Sequence, residues 1–268
     1  MESFCVVVIP IYKTELSAYE KIALKQCGKL LSEYDIVIVK PDNLEISNLE
    51  IEFSYREVSF PGFYFKDVYG YNDLMLSETF YEKFLGYSYL LIYQLDAFVF
   101  KNELKYWCSL GYDYIGAPWL REKEFPTLFK RTKERIRSYR HRKYNLLDKQ
   151  GRPDIERQLY NYVGNGGFSL RKVESFYNVC IQEKELIQNY IGRKSSDYNE
   201  DMFWTIEVNR KKKRIKIPDY KEALNFSIET APQRAMALLQ GSMPFGCHAW
   251  DKNVHFWQPY FKEAGYQI

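Results

Sequence analysis

The chain has 268 residues, 46% of them hydrophobic and 27% charged, with a formal net charge of +3. This balance excludes a disordered chain and suits one large domain, or two small ones, around a sizeable core. The charge is too small to argue for nucleic acid. The five cysteines are odd in number and form no Cys-x-x-Cys pair, and no stretch approaches the ~20 apolar residues of a membrane span.

In chain order, residues 4–10 form an unbroken apolar run rich in β-branched side chains, which predicts a strand buried on both faces. The run is too short for a signal peptide and lacks a basic flank, so a soluble, cytoplasmic chain with reduced, buried thiols is expected. Residues 17–32 have helical spacing, with Ser17 as N-cap and Glu20 at the capping-box position. Residues 35–39 read as a second strand, 72–85 as a second helix, and 89–94 as a third strand that runs on into 95–100. Strand and helix alternate, which predicts an α/β class chain: a Rossmann-type mixed, mainly parallel sheet flanked by helices. Ligands are then expected at the carboxyl ends of the strands.

Residues 121–153 change character. Between Arg121 and Lys143 cations greatly outnumber acids. This basic helical insertion reads either as a solvated or mobile segment, or as a surface that meets anionic lipid or a pyrophosphate-linked acceptor, with nucleic acid a weaker third reading. A glycine-rich string follows at 164–171, then a helix over 173–190, a helix starting at 199–204 and a short strand at 215–218.

Four elements carry chemistry. Asp96 follows the most hydrophobic strand, and Gln94 lies two residues earlier on the same side by strand alternation. A carboxylate in an apolar stretch needs a turn partner, a helix to cap, or a metal. Gly164, Gly166 and Gly167 let the backbone bend sharply and approach a ligand closely, with spacing unlike a P-loop. Glu200 and Asp201 are adjacent acids that either cap a helix or supply a general base. His248, among Phe245, Cys247 and Trp250, is either a structural histidine or a metal ligand.

In this order, Gln94-Leu95-Asp96, residues 164–171, Glu200-Asp201 and His248 resemble the marks of GT-A glycosyltransferases: an Asp-x-Asp motif, a glycine-rich loop, an acidic pair and a C-terminal histidine. The strings at 93–100, 112–119, 164–171 and 199–204 look closer still to bacterial domains of capsule and surface-polysaccharide clusters. The resemblance spans about residues 4–252. It implies one GT-A-like catalytic domain over 1–268: a nucleotide-binding half at 1–119, the basic insertion at 120–155 and an acceptor half at 156–268.

The resemblance also implies a hexosyltransferase-type enzyme that takes a nucleotide-diphosphate sugar, UDP by first expectation. Its acceptor would be a glycan or a lipid-linked glycan, and inversion is favoured over retention. Asp96 and His248 would ligate Mn²⁺ or Mg²⁺. Pro10, Tyr12, Lys13, Asn72, Asp73, Gln94, Asp96, Gly166 and Gly167 would surround the donor. Asp201, or failing that Glu200, would be the base. Trp119 and Trp204 would face the acceptor sugar. The basic stretch 121–143 would meet the inner face of a membrane. Gln94 departs from the motif by replacing its first Asp, which leaves a metal-independent variant open. Two rival readings stand beside this one: a sugar nucleotidyltransferase, against which the lack of glycine at 10–14 counts, and a non-enzymatic glycan- or lipid-binding module.

Overall fold

The computed structural model describes residues 4–268, apart from the Ser196 side chain. β1 (Cys5–Pro10) is buried along its whole length, as its continuous apolar sequence requires. α1 (Ala18–Leu31) begins with the expected capping box: the Ser17 hydroxyl accepts from the Glu20 N–H at 3.3 Å, and the Glu20 carboxylate accepts from the Ser17 N–H at 2.8 Å. β2 (Asp35–Pro41) and β3 (Arg56–Phe60) follow, then α2 (Val68–Met75), α3 (Glu78–Glu82) and β4 (Tyr89–Tyr93). The single helix expected over 72–85 is therefore two, because the Ser77 hydroxyl caps a new start by accepting from the Phe80 N–H.

Past β4 the chain turns, with the Ala97 N–H donating to the Gln94 carbonyl at 2.9 Å. Only β5 (Phe98–Val99) of the strand expected over 95–100 remains, and it joins a different sheet. α4 (Leu104–Ser109), β6 (Tyr114–Gly116) and β7 (Pro118–Trp119) lead to the basic segment, which holds α5 (Leu128–Tyr144) and α6 (Ile155–Leu159). β8 (Tyr162–Val163), β9 (Phe168–Lys172), α7 (Val173–Gln182) and α8 (Lys184–Ile191) come next, so the helix expected over 173–190 breaks at Glu183.

A short α9 (Glu200–Met202) passes through a π-helical turn, Phe203–Glu207, into α10 (Val208–Arg210). Residues 215–218 form no strand; there the Lys216 carbonyl accepts from the Asp113 N–H without building a ladder. α11 (Tyr220–Phe226), β10 (Ser227–Ile228), α12 (Pro232–Leu238), β11 (Gly246–Cys247) and α13 (Val254–Glu263) complete the chain.

The main sheet has six strands in the order β3-β2-β1-β4-β9-β6. The first four are mutually parallel, and β9 runs antiparallel to both β4 and β6. Strand alternation divides the apolar side chains between two faces. Val7, Ile9, Ile38 and Leu91 pack with Ala23 and Leu24 of α1, while Val6, Val8, Leu90 and Ile92 pack with Leu74, Phe80, Phe176 and Trp204. A third cluster around Phe98, Trp250, Trp257 and Phe261 supports the small sheet β10-β11-β5, which carries the C-terminal histidine.

The basic helix α5 is tied down rather than mobile. Its Glu134 carboxylate accepts from Arg157 at 3.0 Å, and the Arg210 guanidinium donates to the carbonyls of His141 and Arg142 at its end. All five cysteines are buried and free.

The β6 backbone lies so close to the glycine-rich loop that a Cβ on Gly116 would overlap the carbonyl oxygens of Gly164 and Asn165. Gly116→Ala should cost about 1–3 kcal/mol in urea denaturation. Gly86→Ala, which faces open space, should stay within about 0.5 kcal/mol.

Candidate active site

The carboxyl ends of β1 and β4 open into a cavity of about 450 Å³. Pro10, Tyr12, Lys13, Gln94 and Asp96 all line it, joined by Lys66 and Tyr71. Its size suits a bound small molecule. A larger cavity of about 840 Å³ between α1 and residues 48–53 is lined by none of the residues the sequence singled out.

At one corner the His248 Nε2 lies 3.0 Å from Asp96 Oδ1 and 3.4 Å from Gln94 Oε1, with Glu229 Oε2 3.8 Å from His248 Nδ1. Residues 154 apart in sequence meet here because β11 brings His248 beside the turn after β4. Gly167 makes room for them: a Cβ there would overlap both His248 Nε2 and Gln94 Oε1. Burial opposes ionisation of Asp96, yet the hydrogen bond and charge of His248 outweigh it and hold the carboxyl below its usual range. Burial likewise opposes charge on His248, but the hydrogen bond and charge of Asp96, with the nearby Glu229 carboxylate, push it up to about 10.

These atoms suit a hard divalent cation, with carboxylate and amide oxygens beside an imidazole nitrogen. They make only part of a shell: among the described residues no group of three or more His, Cys, Asp or Glu is placed to hold a metal. A ligand's oxygens must supply the rest, and the imidazole must give up its proton to bind.

The acid pair sits across the glycine-rich loop. Glu200 is buried and accepts from Arg171 Nη2 at 2.8 Å, and a Cβ on Gly166 would overlap its carboxylate. Arg171 is fully buried and also donates to the Tyr81 hydroxyl at 2.9 Å, the Ser169 hydroxyl at 3.1 Å and the Gly166 carbonyl at 3.3 Å. Burial works against its charge, and the Glu200 carboxylate more than offsets that. Glu200 is thus held in an ion pair through one oxygen, and burial raises its carboxyl above the usual range. Asp201 is half-buried, and one carboxylate oxygen accepts from the Met202 N–H at 2.7 Å. Burial first, then the charge of Glu200, push its carboxyl up to about 7. The π-helical turn that follows at once is a rare feature, frequent at functional sites.

Four buried polar atoms around this centre have no hydrogen-bond partner: Tyr71 Oη, Glu200 Oε2, Glu229 Oε2 and His248 Nδ1. Buried groups left unsatisfied cost about 1–3 kcal/mol each, so such a gathering is expected where a polar ligand completes the network.

Other expected residues fall elsewhere. Asn72 is buried, donating to Asn199 Oδ1 at 3.2 Å and accepting from the Glu200 N–H at 3.1 Å, so it braces the acid turn instead of lining the donor cavity. Asp73 does not line that cavity either. Trp204 is fully buried against Tyr81 and Phe176 and presents no face to a sugar. Trp119 is half-buried with its ring over the Gly164 backbone, where a Cβ would overlap it.

Arg171, Tyr71 and Glu229 were not singled out from the sequence as site residues. Glu229 follows the two-residue strand β10, Ser227–Ile228, which is too short to mark it as the apolar run of β4 marks Asp96. Tyr71 is one tyrosine among 24 and carries no signal either.

The sheet order, the antiparallel β9 and the strand-end site define the GT-A fold of glycosyltransferases. The galactosyltransferase LgtC, in a structure with donor and acceptor sugar analogues, superposes with a TM-score of 0.52 at 13% identity, covering 91% of this chain and 86% of that one. Mouse xyloside xylosyltransferase 1 superposes with a TM-score of 0.51 at 11% identity, covering 90% of this chain and 96% of that one. The chain belongs to the family described as "Protein of unknown function (DUF5672)", whose model matches residues 54–248. No curated protein matches it.

Removing one partner of a buried ion pair strands the other charge. Glu200→Gln should therefore lower stability by about 3–5 kcal/mol in urea denaturation. Asp96→Asn, at a more exposed carboxylate whose buried partner His248 can shed its proton, should cost less than Glu200→Gln and lower the His248 pKa, read by NMR titration.

Proposed function

We propose that this protein is a glycosyltransferase that moves a sugar from a nucleoside-diphosphate donor, UDP-hexose first, to a hydroxyl of a glycan or lipid-linked acceptor in surface-polysaccharide synthesis. One observation carries the reading: Gln94 and Asp96, at the carboxyl end of β4, line a strand-end cavity and meet His248 there, and Tyr71 lines the same cavity with its buried hydroxyl free of any hydrogen bond. Lys13 and Lys66 line that cavity and suit the diphosphate, while Pro10 and Tyr12 border the nucleoside. Asp96 and His248, helped by Gln94, would hold Mn²⁺ or Mg²⁺. When bound, the ion offsets charge on the departing diphosphate.

Gly166 and Gly167, lacking side chains, let Glu200 on one side and His248 and Gln94 on the other close against the loop backbone. Asp201 takes the proton from the acceptor hydroxyl, in an inverting displacement. A base acts best when its pKa lies near the working pH, and about 7 meets that condition. Arg171 and Glu200 hold the loop and the acid turn together. Trp119 borders the acceptor side, and the basic stretch 121–143 faces the membrane.

Incubation with a panel of UDP-hexoses and Mn²⁺, with and without chelator, should give slow donor hydrolysis. Binding of glycan with no nucleotide binding at all would contradict the assignment.

Asp201→Asn should bind UDP as the wild type does and lose about 10²–10⁴-fold in transfer. Wild-type kcat/KM should rise with pH up to about 7 and level off above it, because the base must be ionised.

The same shift acts on stability with the opposite sign. Asp201 holds its proton more tightly folded, at about 7, than at the ordinary 3.8, so its contribution is full below the lower value and lost as pH rises through the upper one. Asp201→Asn should therefore gain stability relative to wild type between these pH values, as read by thermal melts.

A further inference from the structure

Beyond the loop at 164–167 lies a second concavity of about 1320 Å³, walled by α5 on one side and by β8, α11 and α12 on the other. It contains none of the donor residues. Val163 of β8 lines it, so the groove begins at the foot of the glycine-rich loop, on the acceptor side of the centre. Among the described residues, Arg131, Arg135, Arg142 and Lys221 line it without any carboxylate partner, whereas its Glu124 is already paired with Arg234 at 2.6 Å. Asp219, the other acid there, is engaged in capping α11.

The same walls carry apolar side chains that no part of the chain covers: Leu128 is 77% exposed, Ile136 58% and Leu238 42%. On α5 these residues follow helical spacing, with Leu128, Arg131, Arg135, Ile136 and Arg142 facing the groove. The adjoining flank, through Glu134 and Ser138, seats the helix on the protein. Free cations beside exposed apolar side chains in one concavity call for a ligand that has both an anionic group and a hydrocarbon chain.

We propose that this groove is the acceptor-anchoring site, and that it takes a lipid diphosphate: the diphosphate against Arg135 and Arg142, the chain along Leu128, Ile136 and Leu238. The assignment rests on the glycosyltransferase reading above and names the class of its acceptor. Arg142 is pre-set for the task. Its guanidinium stacks over the Tyr162 ring at 4.3 Å and donates to the Gln158 carbonyl at 2.9 Å, which holds it at the groove wall with donors to spare. Burial lowers its pKa, as expected for a cation that lacks a counter-anion. The concavity also exceeds the span typical of small-molecule pockets, which a long chain requires.

The test is equilibrium binding to the full-length protein held in saturating UDP, so that the donor cavity cannot take up the probe. The probes are farnesyl diphosphate, inorganic diphosphate, farnesol and a single-stranded oligonucleotide. Farnesyl diphosphate should bind at least tenfold more tightly than inorganic diphosphate or farnesol. Arg135→Glu and Ile136→Asp, both at exposed positions on α5 and so harmless to folding, should each weaken it tenfold or more. Equal affinity for inorganic diphosphate, or undiminished binding by both variants, would overturn the proposal. So would preferential binding of the oligonucleotide. UDP binding measured on the same samples reports separately on the donor site, so loss of the groove assignment and loss of the glycosyltransferase reading are distinguishable.

Discussion

The Arg171 guanidinium is the fixed point of the molecule. It stands on β9, the strand that runs against its neighbours, with no exposure to solvent, and its donors reach Tyr81 of α3, Ser169 of its own strand, the Gly166 carbonyl and the Glu200 carboxylate. A charge so placed survives only because a carboxylate and several acceptors surround it. The geometry that satisfies it also sets where the glycine-rich loop stands and where the acid turn begins. Asp201 inherits its position from this arrangement, while burial first and then the Glu200 charge raise its pKa against the opposing pull of Arg171.

A second constraint is spatial. Gly166 lies against Glu200, and Gly167 lies against His248 and Gln94, with no room for a Cβ at either. The loop is thus a thin partition between the acid turn and the donor corner, where side chains from both sides crowd its backbone. Across it the protein leaves Tyr71, Glu200, Glu229 and His248 each with an unmatched polar atom. Such a site is strained toward a ligand, because a polar molecule in the cavity removes several desolvation costs together.

Much of the frame was legible in the sequence. β1 and β4 announce themselves as continuous apolar runs because both faces of a parallel strand are covered, and the capping box of α1 depends on residues three apart. Asp96 and His248 were legible as chemistry, though their meeting required β11 to pair with β5, and strands of two residues leave little pattern to read. The reverse direction of β9 left no trace, since side-chain alternation is the same either way. Trp204 and Asn72 were placed wrongly for one reason. Their contacts lie on elements more than 120 residues away, where sequence proximity says nothing: Trp204, beside the acid pair, reaches the Met75 carbonyl, and Asn72 reaches Asn199. The helix breaks at Ser77, where the side chain caps a new start, and at Glu183, where the backbone alone leaves helical angles, escaped because the apolar pattern runs on across them.

A crystal structure of the protein soaked with UDP and Mn²⁺ tests the central claim most directly. The account predicts the diphosphate at the carboxyl ends of β1 and β4, with Asp96 and His248 turned from each other toward the ion and the uridine beside Tyr12. Nucleotide bound away from that corner, with the Asp96–His248 pair still closed, would contradict it.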